Sequence, residues 1–126
     1  MQLHENSHES AKQITAITEQ SISINSEVFS SSCIISNTRL ITEIDIQSVD
    51  DLRPEHIKYL LDSEPELILL GSGCQHVFPA IDLLTPIAKQ NIGFEVMNNQ
   101  SAARTYNVLI AEERKVACLI ILSTKS

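Results

Sequence analysis

Val116-Ala-Cys-Leu-Ile-Ile-Leu122 is an apolar run with no polar alternation, and Leu67–Leu70, between Pro65 and Gly71, is a shorter one. Runs of this kind fit strands covered on both faces, as in the parallel sheet of an α/β domain. Between them the period lengthens twice to that of a helix. Ile81, Leu84, Ile87 and Ala88 fall on one face of a helix predicted from about 79 to 89, with Pro79 in its first turn. Ala102, Tyr106, Leu109 and Ile110 share a face of another over 100–112, with Ala103 at its margin. Carried further, that face would take in Glu113. An unpaired buried carboxylate is costly, so the helix is predicted to stop near Glu112. Phe94-Glu-Val-Met97 reads as the strand between the two helices. Asn91-Ile-Gly93 is the turn before it, with Gly93 just past the helix end, and Asn98 and Asn99 are N-caps after it.

The first half alternates more loosely. Ile22 and Ile24 have a period of two, Asn25-Ser26 signals a turn, and Val28, Phe29 and Cys33-Ile-Ile35 follow. This predicts two or three strands in an antiparallel meander. Leu40, Ile41, Ile44 and Ile46 read as an irregular extended segment. Pro54 fits the first position of a helix, Glu55 suits its positive end, and Arg53 would be an unusual cap. Ile57, Leu60 and Leu61 supply its apolar stripe, His56 falls on its exposed side, and Glu64-Pro65 ends it. Strand–helix alternation in the second half therefore predicts a single three-layer α/β/α domain over 13–126. It has a mixed central sheet and an added antiparallel β element from the N-terminal half. Residues 1–12 are polar and are predicted to be a disordered tail.

Composition narrows the possibilities. A chain of 126 residues suits one core. With 4% aromatics and no Trp, that core must be built from Ile, Leu, Val and Ala. The net charge is −7 and the nine Lys and Arg are scattered, which argues against a nucleic-acid partner and against docking on anionic lipid. No apolar run approaches the length of a membrane span. Cys33, Cys74 and Cys118 lie far apart without a CxxC, so neither a disulfide framework nor a zinc site is expected. His4 and His8 lack companion ligands, and no metal or cofactor is expected. The N-terminus lacks the apolar core of a signal peptide and the Arg-rich pattern of a mitochondrial targeting segment. A bacterial, cytoplasmic protein is expected.

The loop Gly71 to Phe78 should open at the carboxyl end of a strand, where ligands collect in open α/β sheets. One reading makes Gly71, Ser72 and Gly73 an anion or small-molecule cradle of backbone N–H groups. The other makes them a tight turn between strand and helix, and the missing third glycine of a dinucleotide fingerprint favours it. Cys74 and His76 flank Gln75, and a Cys–His pair can make a nucleophile. No third residue is evident to orient them, so no catalytic residue is assigned.

Glu66-Leu-Ile-Leu-Leu-Gly-Ser-Gly73, Gly93-Phe-Glu-Val-Met97, and Ala102-Ala-Arg-Thr-Tyr-Asn-Val-Leu109 followed by Glu112 and Arg114 resemble one small α/β family. That family includes bacterial and archaeal proteins of unknown role, the adipogenesis-associated protein of animals and mitochondrial complex I assembly factor 3. The resemblance covers roughly residues 17–122. It implies one α/β/α domain with a mixed sheet and an added β element, and no established enzyme activity. In the mitochondrial branch it implies help in assembling respiratory complex I. Ser72 stands where the family often has Thr, Asn98-Asn99 where it favours Asp-Thr, Ala103 where Cys is common, and Ile44 where a Trp is expected. Glu113 stands where a Gly would form the left-handed helix stop. On an unchanged backbone that conformation costs a glutamate about 1–2 kcal/mol.

Arg104, Tyr106, Asn107, Glu112 and Arg114, with Asn98, form the remaining candidate cluster. As a binding site they would make a polar rim beside Gly71–Gly73, an arginine meeting an anion or a partner's carboxylate. As structure, Glu112 and Arg114 would pair, Asn107 would satisfy loop carbonyls and Tyr106 would be core. The leading expectation is a non-catalytic interaction or assembly module, its partner an unidentified protein such as a respiratory-complex component. The alternative is a small-molecule or anion-binding protein, or an enzyme, using the loop Gly71 to Phe78.

Overall fold

The computed structural model describes the strand His4–Ser7 and residues 12–123. The chain runs β1 (His4–Ser7), β2 (Ile14–Ile17), β3 (Ile22–Ile24), β4 (Glu27–Phe29), β5 (Ser32–Ser36) and β6 (Arg39–Ile44). A short 3₁₀ turn at Val49–Asp51 leads to α1 (Pro54–Leu61), β7 (Leu67–Gly71), α2 (Ile81–Lys89), β8 (Gly93–Met97), α3 (Asn99–Ala111) and β9 (Val116–Ile120). Six strands form one sheet in the order β1-β6-β5-β9-β7-β8, and β2-β3-β4 form a second. The main sheet is mixed: β7 is parallel to both β8 and β9, while β5 is antiparallel to β9 and to β6.

The two apolar runs lie side by side at the centre of the main sheet. Leu69, Val116, Cys118 and Ile120 face α3 and the small sheet, in a core with Ile22, Ile24, Tyr106 and Ile110. Ile68, Leu70, Ala117 and Leu119 face the other way, in a core with Ile57 and Leu60 of α1 and Ile87 of α2. Two buried faces explain why these strands carry no polar alternation. From β7 the chain steps outward to β8 through α2, then back across β7 to β9 through α3. Right-handed crossovers in opposite directions put the two helices on opposite faces. The three-layer domain expected from the sequence is the one observed; the N-terminal meander is the three-stranded sheet as far as Phe29, whereas Cys33–Ile35, expected to continue it, belong to β5 of the main sheet. Its β3–β4 hairpin turns at Asn25 and Ser26, with φ 49° and 73°. Two left-handed residues in succession match the strands' twist.

Several local expectations are corrected. Part of the predicted tail, His4–Ser7, pairs antiparallel with β6, and Lys12 is buried. The remainder of that tail, with the His8 side chain, lies outside the described residues. The segment read as irregular and extended forms the strand β6 as far as Ile44, and its irregularity is a register shift against β5 between the Ile34–Ile41 and Ser32–Ile44 pairs, with Glu43 at φ 63°. α2 starts two residues late, with Pro79 buried ahead of the N-cap Ala80. The turn preceding it is longer than propensity suggests, because the Ser72 hydroxyl organises residues as far as Val77. Ile81 and Ala88 are exposed, and Ile87 alone of the predicted stripe is fully buried. Asn91, at φ 57°, ends the helix, whereas Gly93 opens β8. His56 is buried, not exposed: from position N3 its Nδ1 accepts the N–H of the N-cap residue Arg53 at 3.0 Å, the half of a capping box that the helix side supplies.

Candidate functional site

β7 ends at the carboxyl edge of the sheet, beside the start of α3. Gly71 is there because α3 comes so close. A Cβ on it would lie 2.5 Å from Asn99 Oδ1 and 2.8 Å from Ile120 Cδ1. Gly73, at φ 99°, then turns the chain outward with open space around it. Ser72 holds the turn. Its N–H donates to the Met97 carbonyl at 2.9 Å, its hydroxyl donates to the Gln75 carbonyl, and its oxygen accepts the Val77 N–H at 3.1 Å. Asn99 closes the corner. Its Oδ1 accepts the Gly73 N–H at 3.0 Å, its Nδ2 donates to the Ile121 carbonyl at 2.8 Å, and its own N–H donates to the Gly73 carbonyl at 2.7 Å. One buried amide therefore ties together the ends of β7, β9 and α3.

Outside this corner is a cavity of about 290 Å³, lined by Ser72, Gly73, Cys74 and Val77 on one side and by Glu19, Gln47 and Asp50 on the other. An adjoining hollow shares Gln47 and Ser48 and adds Asp45 and Asp51. Among the described residues no Lys or Arg lines either one. The N–H groups of Ser72, Gly73 and Val77 are already taken by the protein's own acceptors, and the charged groups at the rim are carboxylates. The arrangement does not favour an anion.

Beyond the cavity the loop turns apolar. Phe78 is 57% exposed and Ile81 77%, and Val77 is exposed beside them. The Phe78 ring meets His76 in a stack and Phe94 edge-on, each at 6.3 Å between centroids. That stack turns the imidazole to Phe78, and no hydrogen bond joins it to the exposed Cys74 thiol. Cys33 and Cys118 are buried, and burial pushes the Cys33 thiol up to about 12, far from a reactive thiolate.

The other residues singled out in the sequence scatter. Asn98 caps α3, its Oδ1 accepting the Ser101 N–H at 2.8 Å. Tyr106 is fully buried, its hydroxyl 2.9 Å from the Lys12 carbonyl and 3.2 Å from that of Ser36. Asn107 acts as a strand partner for β2, accepting the Ile14 N–H at 2.9 Å and donating to the Ile14 carbonyl at 2.7 Å. Arg104 is exposed along the shallow groove between α3 and β2. Glu112 is the C-cap of α3 and Glu113 takes φ 62°, the left-handed stop expected of it. Arg114 pairs with Glu66, not Glu112, at 3.1 Å. That guanidinium, then the Lys115 N–H, hold the Glu66 carboxyl below the usual carboxylate range.

Glu66 precedes β7, whereas Gly71 ends it, so Arg114 and Glu112 sit at the opposite end of the strand from the loop. The polar rim that one of the two readings set beside Gly71–Gly73 is not assembled there, since Arg114 pairs with Glu66 and Arg104 lies along the α3–β2 groove. Gly71, Ser72, Gly73 and Asn98 meet at one corner, and Tyr106 and Asn107 serve the core. Sequence reasoning missed Asn99 as the link and Glu19, Asp50 and Ile121 as the opposite wall. The second of two adjacent asparagines was the one available signal, since a single cap needs one.

The chain is similar to several known proteins. The 13 kDa major membrane protein of Francisella tularensis is 33% identical over 89 residues, which is 70% of this chain and 72% of that protein. The NADH dehydrogenase (ubiquinone) 1 alpha subcomplex assembly factor 3 of Drosophila melanogaster is 28% identical over 87 residues. That match takes in 66% of this chain but 44% of the factor, so the chain spans less than half of that relative. A Xanthomonas campestris protein solved by NMR superposes with a TM-score of 0.78 at 32% identity, covering 92% of this chain and 88% of that one. Over residues 14–121 the sequence matches DUF498, described as "Protein of unknown function (DUF498/DUF598)", and the chain belongs to that family.

Proposed function

We propose that this protein is a non-catalytic interaction module that serves in assembling a larger protein complex, with a respiratory-complex component as its partner. The surface it presents is the corner made by the loop after β7 and the start of α2. One observation carries this reading. The turn spends its polar groups internally, while Val77, Phe78 and Ile81 stand exposed together beside a cavity. Apolar side chains grouped in this way suit a protein surface that another protein covers. Similarity to an assembly factor supports the same reading. The described residues bring no nucleophile to a base, which supports it further.

The reading includes a bacterial cytoplasmic location, where three free thiols would stay reduced. No helix among the described residues is long and apolar enough to cross a membrane. One relative is nonetheless named a membrane protein, so fractionation of native cells belongs with the functional test. That test is complementation of a deletion strain. The wild-type chain is expected to restore the level of assembled respiratory complex I on native gels, and Phe78→Ser is expected not to. Restoration by Phe78→Ser would overturn the assignment of this corner. Equal complex levels with and without the gene would overturn the assembly role.

The second reading is a small-molecule site in the same cavity, at the carboxyl ends of β7 and β9. Saturable binding of a nucleotide or phosphorylated metabolite, abolished by Gly73→Val, would favour it over the first.

A further inference from the structure

Resting on the interaction reading above, we infer that the cavity beside the Ser72–Val77 turn accepts a lysine or arginine side chain from the partner. The partner's adjacent apolar residues cover Phe78 and Ile81. The cavity and the apolar patch are continuous, because Val77 belongs to both. Glu19 and Asp50 line the cavity and, among the described residues, no Lys or Arg does; Asp45 and Asp51 line the hollow next to it. Asp51 already accepts the Gln47 N–H at 2.9 Å, so Glu19 and Asp50 are the carboxylates the proposal relies on. A long cationic side chain fits such a place, its methylenes against Val77 and its head between two carboxylates. A net charge of −7 steers a basic partner towards the whole molecule.

Other occupants fit less well. Anionic lipid would meet acidic groups where it needs basic ones. A second copy docking by a two-fold axis would set this acidic corner against itself. An extended segment added to the edge strand β8 in a two-fold pair would bring Glu95, at the strand's middle, towards its own copy.

The test uses the full chain and a peptide array. The probes are decapeptides with one Arg or Lys flanked by Leu or Phe, matched peptides with Glu for the basic residue, and matched peptides with Ser for the apolar ones. Basic–apolar peptides are expected to bind at least about tenfold tighter than both matched sets, and less tightly as salt is raised. Amide shifts are expected at Asp50 and at Ser72–Val77. Glu19→Gln with Asp50→Asn is expected to weaken binding about tenfold and to remove the salt dependence. Phe78→Ser should weaken the peptides that carry Leu or Phe and leave the Ser-substituted set unchanged, and Val28→Ser, exposed on β4, should change nothing.

Absence of binding by every basic–apolar peptide would overturn the proposal, as would equal binding of the acidic set. Capture by anionic vesicles in place of peptides, or a dimer broken by Ile81→Asp, would also overturn it. If the peptides fail while Phe78→Ser still blocks complex assembly in cells, the cationic partner is wrong and the docking corner stands. If both fail, the corner itself is wrong.

Discussion

Gly71 and Asn99 interlock: the space a Gly71 side chain would need is filled by Asn99 Oδ1, which is itself bonded to the Gly73 N–H. Gly71 is therefore a packing residue, whereas Gly73 is a conformational one. Gly71→Ala is expected to destabilise by about 1–3 kcal/mol through overpacking. Gly73→Ala, with open space around it, should cost only its positive φ, roughly 1–2 kcal/mol. Urea unfolding measures both. In hydrogen exchange, only Gly71→Ala should also loosen the Asn99–Ile121 connection at the end of β9. Equal exchange in the two variants would contradict this division of roles.

Lys12 is buried, and its Nζ has no hydrogen-bond partner among the described residues. Burial lowers its pKa from the ordinary lysine value. Replacing an unsatisfied buried amine by an apolar side chain of similar length removes a desolvation penalty, so Lys12→Met is expected to stabilise by about 1–3 kcal/mol. The pH dependence follows from the sign of the shift. Below its ordinary pKa of 10.5 the unfolded chain holds the proton more tightly than the folded one, so this group's penalty shrinks as pH rises towards that value. The gain from Lys12→Met should therefore be smaller at pH 9.5 than at pH 7, as read by urea midpoints. A destabilised variant would indicate that the amine has a partner.

His56 links helix stability to pH in the ordinary range. Its pKa is lowered, first by burial; the nearby Glu55, Asp45 and Asp51 oppose the shift and Arg53 adds to it. Its Nδ1 accepts the Arg53 N–H, which only the neutral ring can do. With a depressed folded pKa, the unfolded state binds the proton more readily. Stability is then full above the unfolded value of about 6.5 and falls as pH drops below it. Urea midpoints at pH 5 and pH 7.5 should differ for the wild type and differ less for His56→Gln. An NMR titration placing the His56 pKa above 6.5 would contradict the mechanism.

Glu113 stops α3 at φ 62°, a conformation glycine adopts without strain. Glu113→Gly is expected to stabilise by about 1 kcal/mol, less the entropy the glycine adds to the unfolded chain. A rise in melting temperature of a few degrees would show it. The side chain is exposed, so no lost contact should mask the gain.

The layered fold could be read because burial on both faces leaves a mark along the chain itself. Leu67–Leu70 and Val116–Leu122 could hardly be anything but central strands, and the stop at Glu112 followed from where a charge would otherwise land. The hairpin at Asn25-Ser26 was legible because its turn type restricts the residues that can form it. The helix start at Ile81 was not legible. It depends on how far the Ser72 hydroxyl draws the following turn, and the sequence holds no local trace of that. His56 was misread for a related reason: helical spacing placed it outward, but an unsatisfied backbone N–H at Arg53 drew the ring inward.

The candidate corner divides along the same line. Sequence alone determined that Gly71, Ser72 and Gly73 end a buried strand and that the Asn98-Asn99 pair holds the cap of the next helix, because backbone conformation and capping are local requirements. Which residues face that corner was decided by tertiary structure alone. Glu19 and Asp50 come from segments far away along the chain, and Arg114 lies at the other end of β7, beside Glu66, because it precedes β9, which runs parallel to β7. Residue types that suit a site are visible in one dimension, but whether they meet depends on strand order and crossover direction, which only the folded core settles.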